Sequence, residues 1–321
     1  MPIRHLIILL FCLIALACTA IFILPFPAGF GTFTSESEMT IVYQFRLPSA
    51  ITAICCGMAL SVSGHILQQL FKNTLAGPYI LGVSSGASLM VAMVIISASA
   101  LPFLSGSLSI PIAGFLGASA ILFLILIVSA RFGYGAIILL FGVIIGQLTG
   151  ALQNLLSYLA NPNDLKYFTL WSMGSFNSTI GADLIIFGVA LVGGLIWAFS
   201  LMPSLSVMVL GDEVSRSLGV NTASVSFQLL AVTGILTGVA TAYCGPIAFI
   251  GMAIPNMVKI LFKTANFKHL LIANALLGAC MALVSQIISS INIASVNIPV
   301  NVSTAIIGGP FVIYILFKNR N

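Results

Sequence analysis

Apolar runs about one bilayer crossing long, roughly 20 residues, alternate with short polar, proline- or glycine-bearing breaks along the whole chain. Cutting at those breaks predicts ten helical spans: 5–24, 47–69, 83–101, 111–130, 135–158, 183–203, 225–244, 247–263, 270–289 and 301–317. The stretch 46–86 organises the rest. It opens with Arg46 and Pro48, runs apolar for one crossing, gathers His65, Gln68 and Gln69, turns at Lys72-Asn73 and re-enters an apolar segment through Gly77, Gly82 and Gly86. Non-helical backbone at membrane depth must be buried in protein or line a wet cavity. The elbow therefore predicts a polytopic bundle with an internal path.

Composition agrees. Of 321 residues 60% are hydrophobic and 5% charged, against about 25% charged in a soluble domain. So few charges do not cover a water-facing surface, and the surrounding solvent is lipid. The net charge of +5 forms no patch that would hold nucleic acid. The basic residues report topology instead. With the N-terminus inside, Arg4, Lys72, Arg131, Arg216, Lys259, Lys263, Lys268, Lys318 and Arg320 fall on the cytoplasmic side, and only Arg46 and Lys166 fall outside. Ten spans return the C-terminus to the cytoplasm. Glu36, Glu38, Asp164 and Asp183 then lie outside, Asp212 and Glu213 inside. Arg4 and His5 before an apolar run ending at Ala15-Leu16-Ala17-Cys18 resemble a signal peptide, but the run continues to Leu24 and reads as an uncleaved first span.

Three connections stand out: the external loop 25–46, the longer external segment 159–182 with Tyr167 and Trp171 suited to the interface, and the internal 204–224. The last predicts a short amphipathic helix, with Val209, Val214 and Leu218 apolar and Asp212, Glu213 and Arg216 polar. A faint repeat pairs Gly57–Gly64 with Gly238–Gly245 as G-x-A-x-x-x-x-G, on spans of opposite direction, each ahead of a Gly/Pro-rich elbow. That is the pattern of an inverted repeat relating spans 2–5 to spans 7–10.

Several candidate chemistries fail on context. Gly82-Val83-Ser84-Ser85-Gly86 matches a nucleophile elbow but sits at a membrane elbow, with no suitable histidine–acid pair. The phosphate-binding G-x-x-x-x-G-K-[ST] is absent, so an ATP-powered system needs a separate ATPase chain. Apart from Asp183 at a span end, no carboxylate lies within a span, which argues against proton- or sodium-coupled carriage. Cys12, Cys18, Cys55, Cys56, Cys244 and Cys280 lie in apolar runs without C-x-x-C spacing and read as packing residues, so no metal site and no cofactor is expected. Asn177-Ser178-Thr179 and Asn301-Val302-Ser303 match the glycosylation pattern, a common chance match. Gly142, Gly146 and Gly150 form a small-residue row on span five. The same face continues to Gln153, Asn154 and Ser157, with Gln147 one residue off it; this reads either as a neutral pore stripe or as ordinary packing. His65, Gln68 and Gln69 read as a gate or as side chains reaching the cytoplasmic surface.

Four segments resemble permeases of the FecCD type: 46–88, WSMGSF at 171–176, LGDEVSRSLGV at 210–220, and GPIAFIGMAIPNMVKIL at 245–261; the tail 298–316 fits as well. The resemblance implies a single all-α permease domain, 1–321, of ten transmembrane helices in the bacterial cytoplasmic membrane. It implies the membrane subunit of an ATP-binding-cassette importer for iron–siderophore complexes, with haem and cobalamin as alternatives and a stand-alone channel or secondary transporter as a different class. It implies a second permease subunit, two cytoplasmic ATPase subunits and an extracytoplasmic substrate-binding protein, with no enzymatic activity in this chain. Leu210, Gly211, Asp212, Glu213, Val214, Arg216, Leu218 and Gly219 hold the place of the ATPase-coupling loop. The resemblance also implies that Arg46 holds a binding-protein docking position and that spans five and ten line the path, which points to Gln147, Asn154, Ser157 and Thr304. Gly142, Gly146, Gly150, Gly245 and Pro246 are packing and elbow positions. The family's R-L-P-R, N-P-L-A and last-loop Glu are here Ser49, Thr74 and Asn297, so the docking surface is less charged.

Overall fold

The computed structural model describes residues 3–19, 40–97, 109–132, 136–290, 292–293 and 296–318. The outer ends of the first and third expected spans (20–24, 98–101), Glu36, Glu38 and Arg320 lie outside the described residues. In chain order the helices are α1 (Ile3–Cys18), α2 (Leu47–Leu70), α3 (Val83–Ser97), α4 (Ser109–Phe132), α5 (Ala136–Leu159), α6 (Pro162–Ser172), α7 (Ala182–Met208), α8 (Asp212–Ser217), α9 (Thr222–Cys244), α10 (Ile250–Phe262), α11 (Phe267–Ser289) and α12 (Val300–Lys318). A π-helical turn, Val42–Arg46, feeds α2. Each expected span falls on one of these helices. Six of them (α2, α4, α5, α7, α9 and α11) are long and apolar enough to cross a membrane, while α3, α10 and α12 are shorter apolar helices.

The structure adds detail to the sequence reading in three places. A two-residue antiparallel ladder, Asn292–Ile293 with Val296–Asn297, interrupts the all-helical architecture between α11 and α12. The external segment 159–182 contains α6, whose Pro162 sits in the first turn with Asp164 near the positive end of the helix dipole. Finally, α7 runs past Pro203 to Met208.

At its centre α2, 83% buried along its spanning window, packs against α11, α9, α10 and α7. Close backbone approach makes this possible. Gly57 lies on Gly278 of α11, and Gly64 lies on Gly251 of α10; a methyl group at either position would overlap the facing carbonyl. On the other side α9 packs against α4, with Gly238 on Ala118.

The two short helices α3 and α10 explain the elbows. Over the described residues they cover 15 and 13 positions, about 22 and 20 Å against a hydrocarbon core of ~30 Å. Irregular chain precedes each, 71–82 before α3 and 245–249 before α10. These segments enter from opposite ends of the bundle and meet. Gly251 lies on Pro78 and Gly77 faces Met252, and a cleft of about 90 Å³ between them is lined by Gly77–Ile80, Ile247–Phe249, Gly251 and Met252.

Candidate translocation path and coupling surfaces

The least enclosed spanning helix is α5, only 17% buried along its window. One side packs on the start of α3. Gly142 meets the backbone of Leu81, Gly146 faces Gly82 and Ser85, and Gln153 Nε2 donates to the Ser85 carbonyl at 2.9 Å. A four-residue repeat advances about 40° per step around a 3.6-residue helix, so the glycine row swings off this contact and nothing lies near Gly150. The same rotation splits the polar stripe expected on one face. Gln153 belongs to the packing side, Gln147 and Asn154 lie on the open side, and Ser157 is half-buried between them. The open side continues through Leu140, Val143, Ile144, Leu148, Leu155 and Tyr158, an apolar wall with two neutral amides. Thr304 is fully buried, its hydroxyl donating to the Asn301 carbonyl at 3.1 Å, and lies on no open face of this chain.

Side-chain amides satisfy the irregular backbone where the elbows meet. Gln68 Nε2 donates to Met252 O at 3.0 Å, and Asn256 Nδ2 donates to Thr74 O at 2.8 Å and to Met252 O at 2.9 Å. Lys259 Nζ lies 3.4 Å from Gln68 Oε1. His65 and Gln68 are buried rather than extended toward a surface, which removes the surface-seeking reading for both. The His65 ring packs beside Phe267, centroids 6.1 Å apart, and neither ring nitrogen has a protein partner. Sequence could not rank these amides, because their partners are backbone carbonyls about 180 positions away.

At the end where α2 starts and α9 finishes, Arg46 is half-buried at the close of the π-turn. Ser49, the residue in place of a second arginine, is turned inward: it donates to the Arg46 carbonyl at 2.9 Å and accepts from Gln286 Nε2 at 2.7 Å. Thr52 is hydrogen-bonded to Thr179 in the loop after α6. Gly245 has φ +76, and a Cβ there would press on the Trp171 carbonyl, so glycine is needed for conformation and for room. Pro246 follows and its carbonyl accepts from Asn301 Nδ2.

At the opposite end, α8 is shorter than the expected Leu210–Gly219 but keeps its character. Gly211 (φ 119) enters it and Gly219 (φ 79) leaves it in a left-handed turn. Ser215 is fully buried and ties the helix down, its hydroxyl donating to Gly211 O at 2.6 Å and Val207 O at 3.1 Å. Leu210, Val214 and Leu218, before, within and just after this short helix, stay exposed, as do Glu213 and Arg216.

An apolar multi-helix bundle in which short helices are preceded by irregular, inward-packed backbone is the architecture of membrane transport subunits. Comparison with known proteins gives the family: the FecCD transport family matches residues 6–318, and the chain belongs to it. It is 35% identical to the hemin transport system permease protein of Yersinia pestis, over 92% of this chain and 89% of that one. It is 30% identical to a probable iron chelatin transport system permease protein of Helicobacter pylori (89% and 85% covered), and 31% identical to the vitamin B12 import system permease protein of Escherichia coli (97% and 93%). A chain from an ABC transporter described as metal-chelate type, solved in an inward-facing conformation, superposes with TM-score 0.87 at 26% identity, over 98% of this chain and 99% of that one. The protein is accordingly the permease subunit of an ATP-binding-cassette importer, a multi-pass protein of the cytoplasmic membrane.

Proposed function

We propose that this permease carries an iron chelate, a siderophore complex or haem, with cobalamin as the alternative cargo, after delivery by an extracytoplasmic binding protein. The observation that carries the reading is the open side of α5, long, uncharged and almost unburied within the single chain. Lipid covers an apolar face without cost, but the exposed amides of Gln147 and Asn154 on it call for a polar surrounding, and a second permease subunit, identical or paralogous, places the two open sides around a shared path. Gln147 and Asn154 line that path, with Ser157 at its margin. ATP hydrolysis belongs to two separate cytoplasmic ATPase subunits that grip α8, and Arg46 docks the binding protein. All ten apolar helices cross the membrane as one domain, with both termini cytoplasmic. Spans 2–5 and 7–10 are inverted repeats, supported by the exchange in which α2 packs on α11 while α9 packs on α4.

The test is uptake into proteoliposomes holding the permease with its ATPase and binding protein. Haemin, a ferric hydroxamate chelate and cobalamin serve as separate probes. ATP-dependent uptake of an iron probe supports the reading. Uptake of cobalamin alone selects the alternative, and equal flux without ATP overturns it.

A further inference from the structure

Asn301 opens a glycosylation-like triplet, yet its amide is fully committed. Oδ1 accepts from Ala248 N–H at 3.1 Å, and Nδ2 donates to Pro246 O at 2.6 Å and Ser172 O at 3.2 Å. Its own N–H donates to Met173 O at 3.2 Å. Ser175 N–H donates to Cys244 O at 2.9 Å alongside. One planar amide thus joins three segments: the end of α6, the 245–249 elbow and the first turn of α12. The arrangement demands an amide. A carboxylate has no donor for the two carbonyls, and a hydroxyl is too short to reach both sides.

The three segments lead to both ends of the path. Through Ala160 and Asn161, α6 continues from α5. From the elbow, α10 runs to the opposite end, where Asn256 holds Thr74 and Lys259 meets Gln68. That contact belongs to the 71–82 segment, whose Gly82 lies on Gly142 of α5.

We propose that Asn301 is a positioning residue for transport, an amide bracket that makes α6, the 245–249 elbow and α12 move as one body. Displacement of α6 at one end of the path is then delivered by α10 to the 71–82 segment at the other. The proposal rests on the permease reading above. It requires that the bracketed body have two arrangements that both ends bias.

The test uses the complete complex in proteoliposomes. Asn301→Asp keeps the acceptor and removes the donor; Asn301→Ala removes both. Assembly, basal ATP hydrolysis, its stimulation by the binding protein, and haemin uptake are measured together. The expected result is parental assembly and basal hydrolysis, loss of stimulation, and uptake lowered about tenfold or more. If the Asp variant does not assemble, the Ala variant decides. Parental stimulation and uptake in an assembled variant overturn the proposal. So does uptake that falls only in proportion to assembled complex, since a purely structural residue behaves that way. If the unsubstituted complex moves none of haemin, ferric hydroxamate or cobalamin with ATP, the permease reading fails instead, and stimulated hydrolysis still reports on Asn301.

Discussion

Replacing Val214 by Asp tests α8 as the contact with the ATPase. Val214 is 43% exposed in the single subunit, and the flanking Leu210 and Leu218 are 66% and 61% exposed. A charge there costs the isolated permease little, because water already reaches the site. The contact itself is another matter. Full burial of a valine contributes about 1.5–3 kcal/mol, so covering the remaining four-tenths of Val214 contributes on the order of 1 kcal/mol. Burying an unpaired carboxylate in the same place costs about 3–5 kcal/mol. The sum, about 4–6 kcal/mol, weakens association by roughly three to four powers of ten at ~1.4 kcal/mol each. The assay is co-purification of the ATPase, followed by transport and ATP hydrolysis in proteoliposomes, with thermal stability of the lone permease as control. Parental co-purification and transport in a stable Val214→Asp variant would refute α8 as the coupling element.

Three further outcomes are expected. Substituting Ala along the α5 glycine row should grade with contact: Gly142→Ala destabilises by about 1–3 kcal/mol, while Gly146→Ala and Gly150→Ala are tolerated, as read by thermal unfolding in detergent. Asn154→Leu should assemble normally and lower transport, and an unchanged uptake rate would return the open side of α5 to a packing role. Arg46→Ala should weaken binding-protein docking by ~0–1 kcal/mol, whereas Arg46→Glu slows association most at low salt; docking kinetics indifferent to the reversal would remove Arg46 from that surface.

Most of the architecture was legible from the sequence because bilayer thickness imposes a length on each apolar run. The expected segments fall on the observed helices, and the motifs at 46–88 and 245–261 mark both irregular elbows. What escaped depended on direction rather than length. The row Gly142, Gly146, Gly150 looked like one face, but its drift around α5 leaves only the first two on α3 and divides Gln153 from Asn154. Ser49 looked like a lost surface charge and proved to be an inward hydrogen-bonding residue. The role of Asn301 was invisible, since its partners at Ser172, Pro246 and Ala248 approach only once three distant segments have folded.

The meeting of the two elbows also constrains how the chain assembles. Synthesis delivers α2 and the 71–82 segment to the membrane long before Asn256 exists, 182 residues later. Until α10 arrives, the Thr74 carbonyl lacks the amide that satisfies it in the finished bundle. Lipid supplies no hydrogen bond in its place. The first half is therefore expected to wait near water or in the insertion machinery, and to close around the second half rather than fold ahead of it. A chain cut after Cys244 should insert its early spans yet remain open at that elbow, exposed to proteolysis near Lys72.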